Sequence, residues 1–268
     1  MRKVTITLLL TLLLGASTLG MTSAVTDGEL DGGRHPYVGL MVAQDEEGNP
    51  LWRCSGTLIA PTIFLTAGHC AENPAEHMEI WFDSDVESGI PENGYPYTGD
   101  AGGTPYTHPQ YDPDAYYRHD LGVVILDESI DLSEYGALPE LNQLDSLQTQ
   151  ADEQELTFTT VGYGLQASFP DAASWKENNQ RVRMLAHPHL IQSDGTLMGD
   201  DSLVLSNNEH AGGACFGDSG GPNFIGDSNV VGAVTSYALD GNCAGTGGVY
   251  RVDQADDLNW LATFGVIP

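Results

Sequence analysis

Apolar residues in this chain come in short runs divided by turn residues, and the runs predict strands. Tyr37 to Val42 is the first and Leu51 to Ile59 the second, closed by Pro61. Between them, Asp45-Glu46-Glu47-Gly48-Asn49-Pro50 has the residues a turn needs. Ile63 to Thr66 is a brief β-branched run, and Met78 to Phe82 is another strand. Gly89 to Gly103 is rich in Gly and Pro and reads as loop. Leu121 to Leu126 is almost continuously apolar, the pattern of a buried strand. Residues 128–155 are polar and acidic and read as a linker. Beyond it, Leu156 to Val161, Arg181 to Ala186, Ser202 to Ser206, Val230 to Ser236 and Gly248 to Val252 predict further strands. Only the stretch Asp253 to Phe264 reads as helix. It sets Leu258, Trp260 and Leu261 among acids, with Asp253 as expected cap and Asp256 and Asp257 suiting the helix dipole. Many short strands and one late helix predict an all-β pair of domains.

Composition narrows this picture. At 268 residues and 41% hydrophobic, the chain suffices for one large or two small cores. Residues 1–24 stand apart: Arg2 and Lys3 precede an apolar run from Ile6 to Leu14, and small residues lead to Ala24. This is the pattern of a secretory signal with cleavage expected after Ala24. The run is short for a membrane span, so a retained anchor is the weaker alternative. The expected location is extracellular or periplasmic. Export makes the four cysteines readable as disulfides, with Cys54 and Cys70 one candidate pair and Cys215 and Cys243 the other. Each bridge would contribute about 3 kcal/mol. A zinc site is the rival, but there is no CxxC and the intervals do not match a zinc ribbon.

The formal net charge is −29, and removing the signal takes away two basic residues and no acid, for about −31. Nucleic acid and anionic membrane surfaces are therefore not expected as partners. Lys176 is the only lysine beyond the signal. Such a surface suits a high-salt habitat, where roughly 1 M salt cuts the screening length to about 3 Å and relieves self-repulsion.

Three stretches carry candidate chemistry. Gly217-Asp218-Ser219-Gly220-Gly221-Pro222 holds a serine among glycines, which let backbone approach a ligand. A serine hydroxyl needs a base within reach, and the base needs its tautomer fixed. His69 sits in Leu65-Thr66-Ala67-Gly68-His69-Cys70, where small residues lead in and a cysteine pins the backbone. Asp120 stands at the mouth of the buried run Leu121 to Leu126, and a carboxylate there must be paired. Alone, each has a plainer reading: a polar turn, a turn histidine, a strand-end cap. Together they require one another.

In order and content these stretches resemble the chymotrypsin/trypsin-like serine proteases, of a secreted, acidic, bacterial or archaeal type. Further matches are His108-Pro109-Gln110-Tyr111, Val161-Gly162-Tyr163-Gly164, and Val249-Tyr250-Arg251-Val252 followed by Trp260. The resemblance covers nearly all of the chain beyond residue 24. It implies two six-stranded antiparallel β-barrels with a C-terminal helix. Residues 25–140 would form the N-terminal barrel with His69 and Asp120, and 141–268 the C-terminal barrel with Ser219. It also implies roles: Ser219 as nucleophile, His69 as base, Asp120 as its orienting acid, and the N–H groups of Gly217 and Ser219 as oxyanion hole.

Other assignments follow from the same resemblance. Gly213 falls at the base of the primary specificity pocket with Ala214 beside it; Ser236-Tyr237-Ala238 would bind substrate backbone and Gly248 form the other wall. With no acid at the base, and Thr235 where Glu-specific relatives carry His, cleavage after Phe, Tyr, Leu or Met is expected. Ala238 departs from the usual Gly and would narrow the opening. Asp218 would pair with a newly made α-amino group. The usual Ile-Val-Gly-Gly after a basic cleavage site is missing, and signal cleavage would expose Val25, so export itself is expected to activate the enzyme. Asp83, Asp85, Glu87 and Glu92 lie where relatives carry a calcium loop. In a chain this acidic a solvated loop without a metal is expected, with calcium as the alternative. His187-Pro188-His189 reads as ordinary loop. The expected partners are protein or peptide substrates and a protein inhibitor. Two competing readings are a catalytically silent homologue acting as a binding module, opposed by the intact His69, Asp120 and Ser219, and an esterase.

Overall fold

The computed structural model describes residues 25–115, 117–148, 156–166, 180–192 and 201–268. The expected signal segment, residues 1–24, lies outside them. The first strand among the described residues is a two-residue one, β1 (Glu29–Leu30), which joins the second of two sheets. The first sheet is built from β2 (Val38–Gln44), β3 (Pro50–Ala60), β4 (Ile63–Thr66), β5 (His77–Trp81), β6 (Ala101–Thr107) and β7 (Gly122–Leu126). These close into a barrel in the order β2-β3-β4-β7-β6-β5, with β5 paired back to β2. Closure leaves no edge strand unpaired. Leu40, Leu58, Phe64, Met78, Ile80 and Val123 are fully buried. Burying one such side chain is worth about 1.5–3 kcal/mol.

β6 runs through the end of the stretch read as loop. Its sequence, AGGTPYT, opens on Ala and two glycines and holds a proline, but Gly103 packs against β7 so closely that an added Cβ would lie 2.5 Å from the Ile125 carbonyl. Glycine here serves barrel packing rather than a turn.

The second sheet contains β8 (Phe158–Gly162), β9 (Met184–Ala186), β10 (Leu190–Gln192), β11 (Ser202–Asn207), β12 (Pro222–Ile225), β13 (Val231–Ala238) and β14 (Gly245–Arg251). Its order is β1-β9-β8-β12-β13-β14-β11-β10. This corrects the expectation of two six-stranded barrels: the second sheet has eight strands and is an open half-barrel. The cause lies at His187-Pro188-His189, between β9 and β10. Pro188 has no N–H to donate and interrupts a ladder. β9 therefore pairs with β8 and β10 with β11, and only a lone bridge, Thr157 to His189, spans the gap.

A buried cation latches the sheets together. Arg183 Nη1 donates to the carbonyls of Val38 and Phe82 and to the Tyr163 hydroxyl, while Nε donates to Asp31 Oδ2 at 2.9 Å. Both charged side chains are buried.

Among the described residues the α-helices are α1 (Gly68–Ala71), α2 (Gln143–Gln148) inside the expected linker, and α3 (Ala255–Ala262). Asp253 is not the cap of α3. Gln254 occupies that position without a side-chain bond. Asp253 instead takes Arg251 at both oxygens, each at 3.0 Å, and accepts the Leu144 N–H. Two charge-assisted bonds outweigh one cap bond. Disulfides join Cys54 to Cys70 and Cys215 to Cys243.

Candidate active site

Strand register brings His69 and Asp120 together. β4 and β7 are antiparallel, with Thr66 opposite Gly122. The residues just past the end of β4 and just before the start of β7 therefore share one end of the barrel. His69 is on α1, which follows β4 at once; Asp120 lies two residues ahead of β7. The Asp120 carboxylate is buried and accepts three hydrogen bonds: from the His69 N–H (2.9 Å), from His69 Nδ1 (2.9 Å to Oδ2), and from the Ser236 hydroxyl. A buried carboxylate so satisfied can stay ionised. It also fixes the histidine tautomer, since an acceptor at Nδ1 puts the proton there and leaves Nε2 basic.

Burial of the His69 ring opposes its protonation, but the charge of Asp120 and its hydrogen bond outweigh this and raise the pKa above the ordinary value. The sign for stability and for catalysis differs. The imidazolium–carboxylate pair stabilises the fold at low pH, and that stabilisation is lost as pH rises through the raised pKa. A base, by contrast, must be neutral. Activity is therefore expected to fall on acidification through a pKa above the usual histidine range, read from the acid limb of kcat/KM against pH.

Ser219 arrives from the other sheet, in the turn before β12. The turn docks on β3: the Ser55 N–H donates to the Ser219 carbonyl at 2.8 Å, and the Ser55 hydroxyl donates to the Gly217 carbonyl at 2.9 Å. Ser219 and His69 line one cleft, although no hydrogen bond joins their side chains in this state. Catalytic contacts are commonly loose without substrate. Gly217 has φ +99°, and a Cβ there would sit 3.0 Å from Gly164 Cα and 3.1 Å from Arg53 Nη2. Among the described residues, nothing accepts the N–H of Gly217 or of Ser219. Two unspent donors beside a serine are what a developing oxyanion requires.

Asp218 points away from the cleft. Its Oδ1 accepts the Gly164 N–H at 2.7 Å and its Oδ2 the Cys215 N–H at 2.9 Å. A Cβ on Gly162 or Gly164 would fall 2.2–2.3 Å from this carboxylate, which accounts for both glycines of Val161-Gly162-Tyr163-Gly164. Burial pushes the Asp218 carboxyl up to about 7, against the Cys215 and Gly164 N–H groups and the Arg53 charge. Val25 is buried elsewhere, against Met184 and Ala186, and its neighbour Thr26 bridges to Gly213. In the full chain the Val25 nitrogen is a peptide N–H, so no charge pair with Asp218 forms.

The cleft measures about 240 Å³ and is lined by His69, Ser219, Ala214, Cys215, Phe216, Thr235, Ser236, Tyr237 and Ala238. Gly213 and Gly248 do not line it. The Asn207 side chain occupies the space beside Gly213, 2.4 Å from where a Cβ would be. The Tyr237 ring covers Gly248, 2.1 Å from its absent Cβ, and Tyr237 and Gly248 face each other in the ladder. Ser55 and Asn207 are the residues sequence reasoning missed. Neither stands in a recognisable motif, and both act through partners more than a hundred residues away (Thr26 for Asn207, Tyr163 and Gly217 for Ser55). Of the acids of the expected calcium loop, Glu87 pairs with Arg181 at 2.6 Å and Asp85 accepts the Ser88 N–H.

The profile of the Trypsin family matches residues 29–258. Chymotrypsin of Phaedon cochleariae is 26% identical over 251 residues, covering 85% of this chain and 77% of that protein. Chymotrypsin-C of Bos taurus is 30% identical over 179 residues, covering 64% of this chain and 62% of that protein. In the solved structure of HL collagenase, 19% identical, the fold superposes with a TM-score of 0.68 over 90% of this chain and 99% of that one. A mutant of human heparin binding protein, 18% identical, gives 0.64 over 88% and 94%. The family profile spans both sheets and all three of the stretches built around His69, Asp120 and Ser219, and the chain belongs to the trypsin family of serine proteases.

Proposed function

We propose that this is a secreted endopeptidase in which Ser219 attacks the scissile carbonyl, His69 takes its proton and passes it to the leaving amine, and Asp120 holds the imidazole. The observation that carries this reading is the junction of the two sheets: Asp120 fixes His69 with Nε2 left basic, in a cleft shared with Ser219. Attack forms the acyl-enzyme and expels the amine; water then attacks with His69 again as base. The N–H groups of Gly217 and Ser219 carry the oxyanion, and loss of one such donor costs about 3–4 kcal/mol.

The cleft supports a preference for an apolar side chain before the cut. No acid lines it, which disfavours Arg and Lys. The Tyr237 ring lines the cleft and lies over Gly248, taking up room there, so Leu and Met should rank ahead of Phe and Tyr. The test is kcat/KM for peptides carrying Leu, Met, Phe, Tyr, Arg or Glu before the cut, and for esters, with the chain and with Ser219→Ala. Serine-dependent cleavage led by Leu or Met is expected. No turnover of any substrate would leave only the binding-module reading; turnover of esters alone would make the chain an esterase.

Activation by export belongs to the same proposal. Cleavage after Ala24 frees the Val25 amine, which moves to Asp218 and supplies a positive charge to a carboxyl that burial holds raised. Pairing raises the amine pKa, so activity declines as pH climbs through that value. A chain with one extra residue ahead of Val25 should lose most of its activity; full activity would show that Asp218 needs no free amine.

A further inference from the structure

We propose that His108, His119 and Asp257 bind a divalent transition-metal ion of the zinc type, one peptide bond away from Asp120. Their ligand atoms all lie within 4.8 Å of one another. They come from three segments: His108 follows β6, His119 precedes Asp120, and Asp257 lies in the first turn of α3. His108 Nε2 is 3.7 Å from Asp257 Oδ1, and His119 Nδ1 is 3.3 Å from Asp256 Oδ2. Both distances are long for hydrogen bonds. They are close to the separation of about 3.4 Å between two donors on a common tetrahedral zinc ion.

Independent of this spacing, two atoms of the cluster are buried without a hydrogen-bond partner: Asp257 Oδ1 and His119 Nδ1. Asp257 is fully buried, and an unsatisfied buried carboxylate oxygen is costly. The other oxygen of Asp257 accepts the Tyr250 hydroxyl at 2.8 Å, which holds Oδ1 toward His108. Such outer partners orient metal-binding carboxylates. Trp260 packs edge-on against His108, with ring centres 5.0 Å apart. Asp256, more exposed, lies beside His119 and adds negative charge next to the cluster. Imidazole with carboxylate suits zinc, copper and nickel rather than calcium.

Loading asks for two adjustments. The rings of His108 and His119 are stacked, with centres 5.1 Å apart, so His119, the more exposed, must turn to point its nitrogen at a shared ion. The proton of His108 must sit on Nδ1, displacing a Gln110 N–H contact that at 3.3 Å is already weak. The cluster of Cys54, His69 and Cys70 is no rival, because its sulfurs form a disulfide and are not thiolates.

The test uses the chain with Ser219→Ala, to prevent self-digestion. Equilibrium dialysis against Zn²⁺ should find one saturable site, and Co²⁺ should give the visible absorption of a four-coordinate nitrogen and oxygen site. His119→Gln, at a partly exposed turn, should lower Zn²⁺ affinity by at least about tenfold and remove the Co²⁺ bands. Its metal-free melting temperature checks that it folds. As a second route that needs no variant at this cluster, pulsed EPR of the Cu²⁺ form should detect two coordinated imidazoles. Absence of saturable Zn²⁺ binding, unchanged affinity in folded His119→Gln, or fewer than two imidazoles on Cu²⁺ would overturn the site.

Discussion

Asp120→Asn is expected to lower kcat by about 10⁴, with little change in KM and an intact fold. The direction follows from what the carboxylate does in this chain, and the magnitude is that of the same change in the family's type enzyme. It accepts three hydrogen bonds, two of them from His69. An amide keeps the shape but turns one end into a donor. If that NH₂ faces the imidazole, Nδ1 must become the acceptor and the ring proton moves to Nε2. The base is then blocked at the nitrogen facing the cleft. The carboxylate's stabilisation of the imidazolium is lost as well, and a factor of 10⁴ corresponds to about 5.4 kcal/mol. The acid limb of the pH profile should move down at the same time, because the charge that raises the His69 pKa is gone. Steady-state rates against pH and a melting curve suffice to check this. A kcat within tenfold of the parent would mean that Asp120 is a strand-end cap and no more.

Arg183→Met is expected to destabilise the fold by about 3–5 kcal/mol, the cost of leaving a buried charge without its partner. Arg183 serves four acceptors from four segments, Asp31, Val38, Phe82 and Tyr163, and ties the first barrel to the open sheet. Asp31 would be left with His35 and the Gly33 N–H, neither a permanent charge. Burial works to raise the Asp31 pKa, yet hydrogen bonding from His35 and the charge of Arg183 prevail and hold it down at about 2. A carboxyl depressed in the folded state contributes stability above its ordinary pKa, and the contribution is lost as pH falls toward 2. The variant should therefore lose most near neutral pH and least in acid. Adding Asp31→Asn should recover part of the loss. Urea unfolding across pH checks both; equal destabilisation at all pH values would mean that packing of the long side chain, not charge, is the latch.

The candidate site was more legible than the sheets around it, and the reason is local. Gly217 to Pro222, the turn at His69 and the entry to β7 each place special residues within a few positions, where backbone constraint writes itself into sequence. The barrel's β6 was not legible, because Gly103 answers to the packing of Ile125 and Val124 rather than to a turn. Nor was the open second sheet: the run from Arg181 to Gln192 reads as one strand followed by loop, and the break at Pro188 decides which neighbours β9 and β10 take. Asp253 shows the same limit at one residue. It has the chemistry of a helix cap, but Arg251 lies two positions away and claims both oxygens. Asn207, packed against Gly213 and bonded to the carbonyl of cleft-lining Ala214, carries no local signature at all.

The central claim is that Ser219 is a nucleophile made reactive by His69. Its most direct test is mass spectrometry of the chain after treatment with an aryl sulfonyl fluoride. One adduct per chain, on the peptide containing Ser219, is expected to appear in step with loss of peptidase activity, and to be absent in Ser219→Ala and strongly slowed in His69→Ala. An unmodified Ser219, or labelling that proceeds equally well without His69, would contradict it.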